Sequence, residues 1–198
     1  MQFGDVKDTI PRTSLQGWAK RAAGDADRLP LDAFSQAARA VAYDPARLAA
    51  RFGVPLDMVL RRLAHLPPAT SGTDADHPLM GLAVCDGAGV VTFQKPVLDF
   101  RLPRSGAACP LWPLYQALTQ PGRAIRRVVR LPGVARTPFE CFAIAGPVGG
   151  VAFDEEPRIN ATMLVRAART DQVADVVGPG CRVCDVANCA SRRHPSLL

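Results

Sequence analysis

The stretch Gly180-Cys181-Arg182-Val183-Cys184-Asp185-Val186-Ala187-Asn188-Cys189 carries three cysteines in a C-x2-C-x4-C pattern. Two thiolates separated by two residues can turn back onto one metal, because the intervening turn points both sulfurs and several backbone N–H groups inward. A third thiolate, four residues further on, can close another side of the same centre. Such a centre normally takes four protein ligands. The missing one is expected from Cys109, in Ala108-Cys109-Pro110-Leu111-Trp112-Pro113. This reading decides the fold: it brings the tail back onto a segment about seventy residues earlier. One disulfide with a spare thiol, an unliganded thiol switch, or His194 in place of Cys109 are the readings set against it.

The surrounding composition fits that picture. At 198 residues the chain suits one domain with an extension, or two small ones. Its length buries a sizeable core without disulfides. Hydrophobic content of 48% with 21% charged residues is ordinary for a soluble globular protein. The N-terminus has no basic and apolar leader pattern, and no apolar run approaches a membrane span. The chain is therefore read as cytoplasmic. Six cysteines in a reducing compartment point to metal, redox chemistry or burial. A net charge of +6 favours anionic partners.

Residues 1–67 read as helical. Ser14 to Ala23 predicts a short helix stopped by Gly24. Asp32 is expected to cap a helix over 33–42, with Phe34, Ala37, Ala38 and Val41 on one face. Asp44-Pro45 marks another start, an N-cap carboxylate followed by proline at N1. Gly53 stops that helix, and Val54-Pro55 opens the next, to Leu66. Residues 44–66 thus form a helix–turn–helix-like hairpin, with Arg47, Arg51, Arg61, Arg62 and His65 as a basic outer face. Its second helix begins Pro55, Leu56, Asp57, which are poor base readers. A hairpin that packs on its neighbour is the competing reading.

Residues 68–78 are small and polar and read as a linker. From 79 to 177 the pattern changes. Leu79–Val84 and Val90–Gln94 predict a hairpin joined by Cys85-Asp86-Gly87-Ala88-Gly89. Val97–Leu102 reads as extended, Pro110–Leu118 as a short helix, Ala124–Leu131 and Phe139–Ala145 as strands. Pro157–Ala168 suits strand or helix. Cys85 and Cys141 read as small apolar residues buried in strands. The expected class is α+β: the helical region, then an antiparallel PAS- or GAF-like sensor sheet, with the Cys-rich metal-binding tail of 178–198 packed on it.

Between Asp99 and Glu140 no acidic residue occurs, yet Arg101, Arg104, Arg123, Arg126, Arg127, Arg130 and Arg136 do. Arginine forks bind phosphate or carboxylate bidentately. With Arg61 and Arg62, these residues (Arg136 apart) are the candidate anion or nucleic-acid contacts. The bland alternative is a solvated basic face.

The segment Ala108–Pro113, then Pro121-Gly122-Arg123, then Cys181-x-x-Cys184-x4-Cys189-x-x-Arg192-x-x-Pro195 resembles the C-terminal domain of the short-chain fatty acyl transcriptional regulators. Residues 44–66 resemble the helical end of that family's middle domain. The family carries a DNA-binding domain ahead of these parts, and a peptidase-related domain. This chain has no His-Glu-x-x-His. The resemblance therefore implies a shortened relative, a regulatory or ligand-sensing module acting through DNA, a dimer mate or RNA polymerase.

A transcription-associated regulator is the leading expectation, with zinc or a [4Fe–4S] cluster on Cys109, Cys181, Cys184 and Cys189. An acyl-CoA-like anion is its expected ligand. A protein-interaction adaptor with a structural metal is the alternative. An enzyme is not expected, because no base stands beside a reactive cysteine in any recognisable pattern.

Overall fold

The computed structural model describes residues 12–67, 77–97, 100, 108–132, 138–149, 153–154, 156, 158–168 and 172–198. Four helices come first: α1 (Arg12–Arg28), α2 (Leu31–Ala40), α3 (Pro45–Phe52) and α4 (Leu56–Ala64). Strands β1 (Met80–Asp86) and β2 (Val91–Lys95) form the hairpin, and α5 (Pro113–Leu118) follows. Then come β3 (Ile125–Arg130), β4 (Phe139–Pro147), β5 (Ile159–Ala167) and the short β6 (Asp175–Val176).

The Asp44 cap forms as expected. Its Oδ1 accepts the N–H groups of Ala46 (2.9 Å) and Arg47 (3.0 Å), with Pro45 at N1. Gly53 ends α3 at φ 60°, the left-handed conformation glycine adopts without a Cβ penalty. Two expectations are corrected. Helix α1 does not stop at Gly24 but runs to Arg28. An interior glycine costs only about 1 kcal/mol, and the extra turn carries buried Asp25 and leads into buried Leu29. Asp32 does not cap α2; Pro30 takes that place and Asp32 falls in the first turn, where its charge still complements the helix dipole.

The strands form one six-stranded sheet in the order β2-β1-β5-β4-β3-β6. Neighbours are antiparallel except β3 and β6, which are parallel. Within the stretch Pro157–Ala168, ambiguous in sequence, Ile159–Ala167 forms β5, paired on both edges with β1 and β4. A strand covered on both faces shows a continuous apolar run rather than an alternation, so periodicity could not identify it. Of the extended piece 97–102, the described part is an isolated bridge between Val97 and Phe100. Helix α5 begins at Pro113; Pro110 and Leu111 form the turn ahead of it.

Both sheet faces are packed. One carries Leu82, Val84 and Leu164 against Phe34, Leu48, Leu60 and Leu63 of the helical layer. The other carries Cys85, Phe139, Cys141 and Met163 against Phe100, Trp112 and Leu114. Helix α4 buries Val59, Leu60, Arg61, Leu63 and Ala64. The helix–turn–helix-like hairpin therefore serves the core: its second helix is committed to the sheet and leaves no basic face built on Arg61.

Candidate cysteine-lined site

Cys109 sits just ahead of α5, where the Trp112 N–H donates to its carbonyl at 3.3 Å. Trp112 is fully buried, edge-on to Phe100 with ring centroids 5.0 Å apart. Its Nε1–H donates to the Gly178 carbonyl at 3.0 Å, joining the α5 segment to the tail. After Gly178 the chain enters a single 3-10 turn, Cys181–Val183. A Cβ on Gly178 would stand 2.6 Å from the Cys184 sulfur. Only glycine lets that thiol approach.

The tail is then tied by its own polar groups. Arg192 donates to the carbonyls of Cys181 (3.2 Å), Cys184 (3.4 Å) and Val186. Ser196 Oγ–H donates to the Cys184 carbonyl at 2.9 Å. The Leu197 N–H donates to the Arg182 carbonyl at 2.8 Å.

Cys109, Cys181, Cys184 and Cys189 all line one cavity of about 20 Å³, walled also by Leu111 and Arg192. The four sequence-predicted ligands are thus brought together. His194 does not line it and its side chain is exposed. Among the described residues, no group of three or more His, Cys, Asp or Glu side chains is arranged to hold a metal ion. Backbone N–H groups are nevertheless directed at the sulfurs. The Arg193 N–H donates to Cys181 Sγ at 3.3 Å, and this bond leads the causes that pull the Cys181 thiol below its ordinary value. Burial pushes the Cys109 thiol up, against N–H bonds from Leu111 and Gly178.

The other cysteines are buried inside strands, as expected. Burial raises Cys85 to about 11 and Cys141 further still.

The arginines divide. Arg61 is buried, with Nε and Nη2 on Asp25 (2.7 and 2.9 Å) and Nη1 on Asp57 (2.5 Å). Arg62 Nε donates to the Leu29 carbonyl at 2.9 Å. On the sheet, Arg126 and Arg166 both hold buried Glu140 and both lie over the Phe142 ring. Arg123 reaches Gln120, Arg127 reaches the Arg126 carbonyl, and Arg130 is exposed. Arg101, Arg104 and Arg136 lie outside the described residues. Asp25, Glu140 and Arg166 carry no sequence signal for these roles, because their partners are remote in the chain.

A profile of the C-terminal domain of short-chain fatty acyl coenzyme A regulators matches residues 78–198. Over 183 residues the chain is 31% identical to the propionyl-CoA carboxylase regulator of Cereibacter sphaeroides, covering 85% of this chain and 38% of that protein. It is 30% identical over 186 residues to the HTH-type transcriptional regulator PrpR of Mycobacterium tuberculosis, covering 85% and 36%. A solved structure of a Mycobacterium tuberculosis transcriptional regulator matches with a TM-score of 0.71 at 26% identity, over 87% of this chain and 55% of that one. The chain spans little more than a third of these two curated relatives. They are named as regulators, not enzymes. Among the described residues, no helix is long and apolar enough to cross a membrane.

Proposed function

The chain belongs to the short-chain fatty acyl coenzyme A regulator family, and from that premise we propose a transcription-regulatory module whose four cysteines hold a metal centre. The observation that carries this reading is that Cys109 and the three tail cysteines line one cavity. The donor set is all sulfur, which selects zinc or an iron–sulfur cluster over hard cations. A [4Fe–4S] cluster is the reading carried forward: N–H bonds to sulfur, as at Cys181 and Cys109, are among the contacts that tune such a cluster, while four thiolates also suit a single zinc.

A bound cluster would supply redox- and oxygen-sensitive chemistry. The protein's own contribution is placement. Trp112 fixes the tail at Gly178, Arg192 gathers three tail carbonyls, and Gly178 leaves room for the Cys184 sulfur. The hairpin-first sheet, with β5 between β1 and β4, supports a sensor domain of PAS or GAF type. DNA, the transcription machinery or a dimer mate, and an acyl-CoA-like ligand, complete the reading as its partners. A basic chain suits them.

The test is metal content and visible absorption of protein purified without oxygen, for the wild type and Cys109→Ser. The expected result is a brown protein with about four iron per chain, and loss of colour in the variant. A colourless protein with about one zinc would replace the sensor with a structural staple. No metal at all would sink the centre.

A further inference from the structure

A second cavity, of about 90 Å³, opens in the helical layer. It is lined by Trp18, Ala22, Asp25, Arg61, Arg62 and His65. We propose that it is a binding site for hydrogen phosphate, held by Arg62, Trp18 and His65. This goes beyond the cysteine centre and does not depend on it.

The hydrogen-bond inventory carries the inference. Asp25 and Arg61 satisfy one another, with Asp57 on the remaining Arg61 nitrogen. They form a neutralised floor. The other polar lining groups are only partly used. Arg62 gives its Nε–H to Leu29, and among the described residues its two Nη groups have no partner. Trp18 packs on Phe93 with centroids 4.2 Å apart, and its Nε1–H has no acceptor there either. His65 Nδ1 lies 2.7 Å from the Arg61 carbonyl. A carbonyl only accepts, so Nδ1 carries a proton, and in the neutral form of the ring Nε2 is an acceptor.

Two sets of open donors and one open acceptor are the complement of an oxyanion that keeps a proton. Hydrogen phosphate has acceptor oxygens for Arg62 and Trp18, and one O–H for His65. Carboxylate, sulfate and a phosphomonoester, whose second pKa is about 6, have no such O–H near neutral pH. The charge balance agrees. Arg21 lies over the Trp18 ring, and Lys95 Nζ donates to the Ala64 carbonyl beside His65. The lining itself sets Arg61 and Arg62 against Asp25, leaving one positive charge in excess. The cavity takes several waters or one such group.

The test is calorimetric titration of the full chain with inorganic phosphate and with sulfate, at constant ionic strength near neutral pH. Phosphate is expected to bind saturably and about tenfold tighter than sulfate, the worth of one hydrogen bond to a charged group. Arg62→Met should weaken phosphate binding by at least about tenfold. His65→Leu, a change at an exposed residue, should erase the preference over sulfate. Adenosine 5′-monophosphate, which near neutral pH is mainly a dianion without an O–H, is expected to bind more weakly than inorganic phosphate; tighter binding would overturn the proposal. Absence of saturable binding, equal affinity for phosphate and sulfate, or affinities unchanged in His65→Leu would overturn the proposal.

Discussion

At the scale of single residues, His77 shows how burial converts an ordinary side chain into a pH-sensitive contact. It stands just before β1 and is buried. Its Nδ1 lies 2.9 Å from the Tyr43 hydroxyl and its Nε2 3.5 Å from Arg39 Nη1. Arg39 can only donate, so Nε2 must present a lone pair and the ring is neutral. Tyr43 sits at φ 58°, a left-handed conformation uncommon for a non-glycine residue, so its surroundings hold it there. Burial, and then the Arg39 charge, depress the His77 pKa. The unfolded state therefore binds its proton first as pH falls. This contact's contribution is complete above the ordinary histidine value of about 6.5 and declines as pH drops below it. The wild type should lose urea resistance below that point, and His77→Gln should flatten that part of the profile. Parallel profiles for the two proteins would show that His77 is not the titrating group.

At the scale of elements, two aspartates of the helical layer separate what is local from what is tertiary. Asp44 caps α3 through neighbours two and three residues away; Asp25 holds Arg61 across 36 residues. Asp44→Ala should cost about 1 kcal/mol. Asp25→Ala leaves a buried guanidinium with only the half-exposed Asp57, and should cost about 3 kcal/mol, the low end for a broken buried pair. Urea denaturation of both variants checks the ordering, and an Asp25→Ala cost equal to or below that of Asp44→Ala would refute it. The same division explains what the sequence disclosed. The Asp44-Pro45 start, the Gly53 stop and the β1–β2 hairpin are written in adjacent residues, and they were legible. The end of α1 was not, because Gly24 is overridden by packing at Leu29. Nor was β5, whose run 161–165 is buried on both faces. Arg61 looked like a surface base-contact residue because its partner lies one helix pair away. At the candidate site, cysteine spacing named the thiols; the joint between Trp112 and Gly178, and the N–H groups on sulfur, required the fold.

At the scale of the molecule, the sheet divides two cores. The helical layer packs on one face and α5 with its flanking segments on the other. The strand end that leads into the tail joins the second core at buried Val177, and Cys109 belongs to the same core. Trp112 is the joint, since its indole N–H meets a carbonyl 66 residues away. Trp112→Phe keeps an aromatic ring against Phe100 but leaves the Gly178 carbonyl without that donor. An unpaired buried acceptor costs about 1–3 kcal/mol. The two cores lie on opposite faces, so the cost should fall on one side only. Hydrogen exchange should quicken across 176–189 and stay near wild type in α2 to α4. If the proposed metal centre forms, metal retained by anaerobically purified protein should fall with it, because the tail cysteines would no longer be held against Cys109. Equal acceleration in both layers would mean that Trp112 stabilises the sheet as a whole, and that the tail is held by its own internal hydrogen bonds.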